Sequence, residues 1–279
     1  MDLASSVGHG RGFRTLLHGV IAAVVIAGSS SAAAQAPAPA PPPPVAQDPS
    51  APDFAHRVLQ AVDDLYRGQA SRARVTMTVT TKHWTRTLEM ESWTLGTDRS
   101  LIRILQPKKE RGTATLMVAR DLFTYLSKTD RTIKISGAMM GGAWMGSHFT
   151  NDDLVRSSRL SDDFDATLSG RGVVEGAEIY QFTLTPKEGA AVVWGKIVVS
   201  IRAADLMPIA QVFHDEDGVA IKSLTFHDFR TVQGRTVPFS MRMLPLDKPG
   251  ESTEIRYTEL DYGIALKPSF FSVQNLRAL

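Results

Sequence analysis

Two acidic pairs, Asp152/Asp153 and Asp162/Asp163, with Asp165 close by, are the residues best suited to acid–base chemistry. One carboxyl can act as general acid while a second acts as base, as in glycoside hydrolysis. Adjacent residues on a helix or strand point apart, however, and acidic residues at a helix start explain the first pair. His214-Asp215-Glu216-Asp217-Gly218 and His227-Asp228 hold side-chain types that bind metals. Asp217-Gly218 falls between two alternating runs, where a hairpin tip is the simpler reading. The five histidines after residue 34 (His56, His83, His148, His214 and His227) show no H-x-x-x-H spacing. Neither a G-x-S-x-G elbow nor a G-x-x-x-x-G-K-[ST] loop is present. The chain has no cysteine, which removes disulfides, thiolate catalysis, zinc ribbons and iron–sulfur clusters together. An enzyme is not expected, and no metal or cofactor is.

A different stretch points to binding. Gly137-Ala138-Met139-Met140-Gly141-Gly142-Ala143-Trp144-Met145-Gly146 carries three of the ten methionines and four glycines, and Phe149 follows. It is apolar but has no usable period. Glycine frees the backbone, and methionine and aromatic side chains give adaptable apolar contact. Met139, Met140, Trp144, Met145 and Phe149 are therefore the candidate ligand-binding residues, forming a mobile cover. A loop that merely caps one end of the core fits the same composition. Thr150-Asn151-Asp152-Asp153-Leu154 reads as the start of a helix.

The elements that must position this cover are one helix and many strands. Asp53 is a plausible N-cap, and Phe54, Val58, Val62 and Leu65 form an apolar stripe before Gly68. That predicts a helix over 53–66 laid on the inside of the fold. The period then changes to two: Val75, Met77 and Val79 alternate with Thr76, Thr78 and Thr80. Strand patterns follow at 85–95, 100–105, 114–118, 122–127 and 132–136. After the methionine-rich interruption they resume at 165–173, 178–185, 196–201, 209–214, 220–230, 236–244 and 254–260. Short turns such as Glu175-Gly176 and Gln233-Gly234 separate them, too short for crossover helices. The fold class expected is mainly antiparallel β with few helices: a strongly curved half-barrel sheet with helices covering its concave apolar face.

Composition bounds the rest. The 279 residues are 43% hydrophobic and 22% charged, with a formal net charge of +2. Such a balance suits a globular domain and speaks against nucleic acid as a partner. Arg11 and Arg14 precede an apolar run over 16–27, and Ala32-Ala33-Ala34 supplies a signal-peptidase site. Residues 1–34 therefore read as a signal peptide cleaved near Ala34, which sends the protein to a periplasm. Residues 37–52 hold 8 of the 15 prolines, so 35–52 reads as a Pro/Ala-rich linker. Residues 53–279 form one domain.

Three motifs in order resemble a known group. They are 101–107 with 112–116, then 122–126 with 131–135 leading into the glycine-rich loop, and Gly146-Ser147-His148-Phe149-Thr150-Asn151-Asp152-Asp153-Leu154. Together they resemble the outer-membrane lipoprotein-sorting proteins, periplasmic relatives of the lipoprotein carrier LolA. His148 departs from the pattern, which has an acid there. The resemblance implies a curved antiparallel half-barrel with helices plugging an apolar cavity. It also implies a non-catalytic, monomeric carrier that binds acyl chains of lipids or lipidated proteins, with an inner-membrane transporter as a candidate partner. An alternative is a non-catalytic periplasmic adaptor of an envelope export system, docking through an edge strand.

Overall fold

A computed structural model describes residues 48–66, 70–156 and 160–278. The expected signal peptide, residues 1–34, and residues 35–47 of the expected linker lie outside the described residues. Helix α1 (Phe54–Tyr66) follows Asp53, whose carboxylate lies 3.2 Å from the Arg57 guanidinium one turn on. Phe54, Val58 and Val62 are buried, with Leu59 beside them. Leu65 is helical, but its side chain is outside the described residues.

Six strands come next: β1 (Ala70–Thr80), β2 (Thr85–Leu95), β3 (Arg99–Gln106), β4 (Ala114–Val118), β5 (Asp121–Leu126) and β6 (Arg131–Lys134). The methionine-rich segment and two short helices, α2 (Asn151–Arg156) and α3 (Leu160–Asp163), interrupt the pattern. Then follow β7 (Phe164–Val174), β8 (Ala177–Pro186), β9 (Lys196–Arg202), β10 (Pro208–His214), β11 (Ala220–Val232), β12 (Arg235–Pro245) and β13 (Ser252–Tyr262). The chain ends in α4 (Val273–Ala278).

All thirteen strands form one curved open sheet in the order β6-β5-β4-β3-β2-β1-β13-β12-β11-β10-β9-β8-β7, every pair antiparallel. Two meanders meet where β1 pairs with β13, so the sheet is a run of hairpins plus one long-range closure. Short turns make this possible. Glu175 (φ 50°) with Gly176 (φ 80°) and Gln233 (φ 48°) with Gly234 (φ 81°) are paired left-handed residues, the geometry that suits two-residue hairpins.

Alternation sorts side chains onto two faces. Val75, Met77, Val79, Leu88, Met90 and Ile104 join α1, Phe164 and Phe182 in the main core on the inner face. Phe54 meets Tyr180 edge-on at 5.2 Å. Opposite parity sends Trp93, Leu101, Ala114 and Leu116 outward, where Phe271 and Leu276 of the C-terminal segment cover them. The sequence pattern did not anticipate this second layer.

Candidate functional site

Between the inner face of the sheet and the segment 137–154 lies a cavity of about 280 Å³. That is near the lower edge of the ~300–1,000 Å³ usual for small-molecule sites. The sheet supplies most of the wall. Leu224, Phe226, Met241, Met243 and Ile255 point in from β11, β12 and β13, as inward positions of a period-two pattern must. Trp144, Phe149 and Leu154 close one side, and Leu160 and Phe164 another.

The cover is knitted to its surroundings. The Trp144 indole N–H donates to Thr115 Oγ1 at 3.0 Å, and both residues are buried. Met145 (φ 49°) and Gly146 (φ 68°) form a left-handed turn, and the Arg86 guanidinium donates to the Met145 carbonyl. Glu110 holds that guanidinium at 3.3 Å. His148 faces an acid. Its Nδ1 lies 2.9 Å from Thr253 Oγ1 and its Nε2 lies 3.1 Å from Glu251 Oε2. That hydrogen bond, with a second from the Lys82 amide, holds the Glu251 carboxyl below its ordinary pKa.

The helix start read from sequence is a reciprocal cap. Asp153 N–H donates to Thr150 Oγ1 at 3.2 Å, and Thr150 N–H donates to Asp153 Oδ2 at 2.6 Å. The same Asp153 oxygen receives Lys222 Nζ at 2.5 Å. Lys222 reaches across from β11, its ammonium 4.5 Å from the Trp194 ring and 5.0 Å from Phe213. Removal from water pulls the lysine pKa down, opposed by Asp153. This buried pair ties α2 to the sheet beside the cavity.

The candidate cover residues do not share one role. Trp144 and Phe149 line the cavity. Met145 packs at the margin of the main core. Met140 packs against Met117, Leu122 and Val155 in a separate cluster, and Met139 is 45% exposed. The acidic pairs are split as well. Asp163 is buried with Arg120 at 3.3 Å, whereas Asp162 and Asp165 face solvent. His214 sits opposite Ala220 at the start of β11, and His227 lies seven residues further along that strand, ~23 Å away. Asp217-Gly218 is the turn between β10 and β11, with Gly218 at φ 80°. No cluster of three or more metal-ligand side chains occurs among the described residues.

Comparison with known proteins agrees with this architecture. Residues 96–278 match the model of a family described as "Uncharacterized protein". The chain belongs to this family. All three motifs noted in the sequence lie inside the match. No curated protein sequence matches the chain. Among solved structures, a DUF1329 family protein from Desulfovibrio piger superposes with a TM-score of 0.75 at 23% identity, covering 79% of this chain and 97% of that one. A domain described as outer membrane lipoprotein-sorting protein, from Vibrio parahaemolyticus, gives 0.72 at 22%, covering 81% and 99%. A LolA superfamily protein from Nitrosomonas europaea gives 0.68 at 20%, covering 79% and 98%. At these identities the likeness is one of fold, and the fold is LolA-like.

Lys222 was missed in the sequence, although a signal was there. It stands in phase with Leu224 and Phe226, so the alternation that buries them buries it too.

Proposed function

We propose that this protein is a periplasmic, non-catalytic carrier that holds acyl chains of lipids or lipoproteins, in outer-membrane lipoprotein sorting or envelope lipid transport. The observation that carries this reading is the apolar cavity under the inner face of a curved antiparallel sheet, closed by Trp144 and Phe149. Each methylene taken from water contributes about 0.8 kcal/mol, so such a wall binds a chain without a catalytic constellation. The description of the Vibrio domain as a lipoprotein-sorting protein supports the same role. Residues 1–34 act as the signal peptide and 35–52 as a linker, so the mature protein begins near Gln35 and works in the periplasm as a monomer. The segment 137–149 opens to admit ligand, and release is driven by a partner, for which an inner-membrane transporter is a candidate. Native mass spectrometry of protein purified from a periplasm, without detergent, tests this. Co-purifying lipid or acylated peptide is the expected result. An empty protein that fails to take up acyl ligand and travels with a stable partner would replace the carrier with an adaptor.

A further inference from the structure

The cavity wall is not uniformly apolar, and its polar groups share a peculiarity. Tyr257 in β13, Gln211 in β10 and Ser92 in β2 all line it. The register sets Tyr257 against Val75, Gln211 between Leu224 and Val199, and Ser92 between Ala73 and Ile102. Trp144, Lys222 and Asp63 are bonded, to Thr115, Asp153 and Ser161, whereas the indole N–H of Trp194, which also lines the cavity, is buried without a partner. None of the side chains of Tyr257, Gln211 and Ser92 has a hydrogen-bond partner among the described residues, and all three line the cavity. Burial lifts the Tyr257 phenol to about 12, so its O–H remains a donor across the physiological range. An unmet polar group in such a place is costly unless a ligand or water meets it.

The charges nearby narrow the choice. Asp152 and Asp153 are on the wall, whereas no lysine, arginine or histidine is among the described lining residues. The adjacent ammonium, Lys222, is committed to Asp153. An anionic head entering the cavity would find no cationic side chain among the described lining residues to pair with it.

We infer that the cavity selects acyl chains linked through an uncharged ester or amide, whose carbonyl oxygen accepts hydrogen bonds from Tyr257 and Gln211, over free fatty-acid anions and plain hydrocarbon. This rests on the carrier reading and specifies its ligand. A carbonyl placed among these donors gains specificity because the analogue without it leaves them unmet.

The test titrates the mature protein with methyl laurate, laurate anion and dodecane, each delivered from cyclodextrin and followed by tryptophan fluorescence. The parent is expected to bind the ester about tenfold more tightly than dodecane, and laurate more weakly than the ester. Tyr257→Phe with Gln211→Leu should erase the preference for the ester, because dodecane then leaves no donor unmet. Dodecane binding as tightly as the ester, laurate binding more tightly, or an unchanged ester preference in the double variant would overturn the inference alone. If none of the three binds the parent, the carrier reading falls and the inference falls with it.

Discussion

The Lys222–Asp153 pair offers the sharpest test of how the cover is held. Its side chains are 5% and 12% exposed, so both charges have lost most of their water. Removing one partner from a buried pair costs about 3–5 kcal/mol, whereas replacing both with uncharged groups of similar size is often neutral. In Lys222→Met, Asp153 keeps its bond from the Thr150 amide, which puts the loss near the lower end, about 3 kcal/mol. Asp153→Asn strands the ammonium on the rings of Trp194 and Phe213 and should cost about as much. For a domain of this size about 3 kcal/mol lowers Tm by about 6–12 °C. The double variant should return to within about 1 kcal/mol of the parent. Urea melts of all four proteins measure the coupling. The pH dependence adds a second check. Desolvation lowers the lysine pKa, so between that value and the ordinary one near 10.5 the unfolded chain binds the extra proton. Stability therefore rises with pH through that window, and below it the burial cost is present in full. Lys222→Met should remove that rise. Single-variant losses that simply add in the double variant, within about 0.5 kcal/mol, would refute the pairing.

Val62→Asp puts a charge into the contact of α1 with the core, where Val62 is 2% exposed, and should cost several kcal/mol in thermal melts. Glu251→Gln should lessen the loss of stability on acidification, because a carboxyl held below its ordinary pKa stabilises the fold above the unfolded value and loses that effect as pH falls through its own; parallel melts across the acidic range measure the difference. Trp144→Phe gives up the indole bond to Thr115 and should lower stability by about 1 kcal/mol while removing the part of the tryptophan emission that responds to acyl ligand. N-terminal sequencing of periplasmic protein should begin within a few residues of Gln35.

Why the sheet was legible and the cavity was not follows from what a period encodes. Strand patterns such as 114–118 and 85–95 coincide with β4 and β2, because alternation and a short turn are local properties of the chain. Phe54, Val58 and Val62 likewise declared the inner face of α1 through spacing alone. The C-terminal layer was invisible for the converse reason. Only a six-residue helix and scattered apolar residues such as Phe270 and Phe271 mark it, and the face it covers differs from the core face only by parity. The inward row Lys222, Leu224, Phe226 shows the same limit within a strand. Period two gives the side a residue faces, but not whether the space there is filled, paired or hollow. That depends on β10, β13 and α2 converging from distant parts of the chain, which is also why Asp153 could be read as a helix cap from Thr150 but not as the partner of Lys222, 69 residues away. The polar groups that a ligand would satisfy are thus those the local pattern treats as exceptions. Gln211 sits inward between Leu224 and Val199, and Tyr257 sits opposite Val75. In a sheet built to bury apolar side chains, these exceptions fall on the wall of the cavity, where a side chain faces open space instead of a packed neighbour.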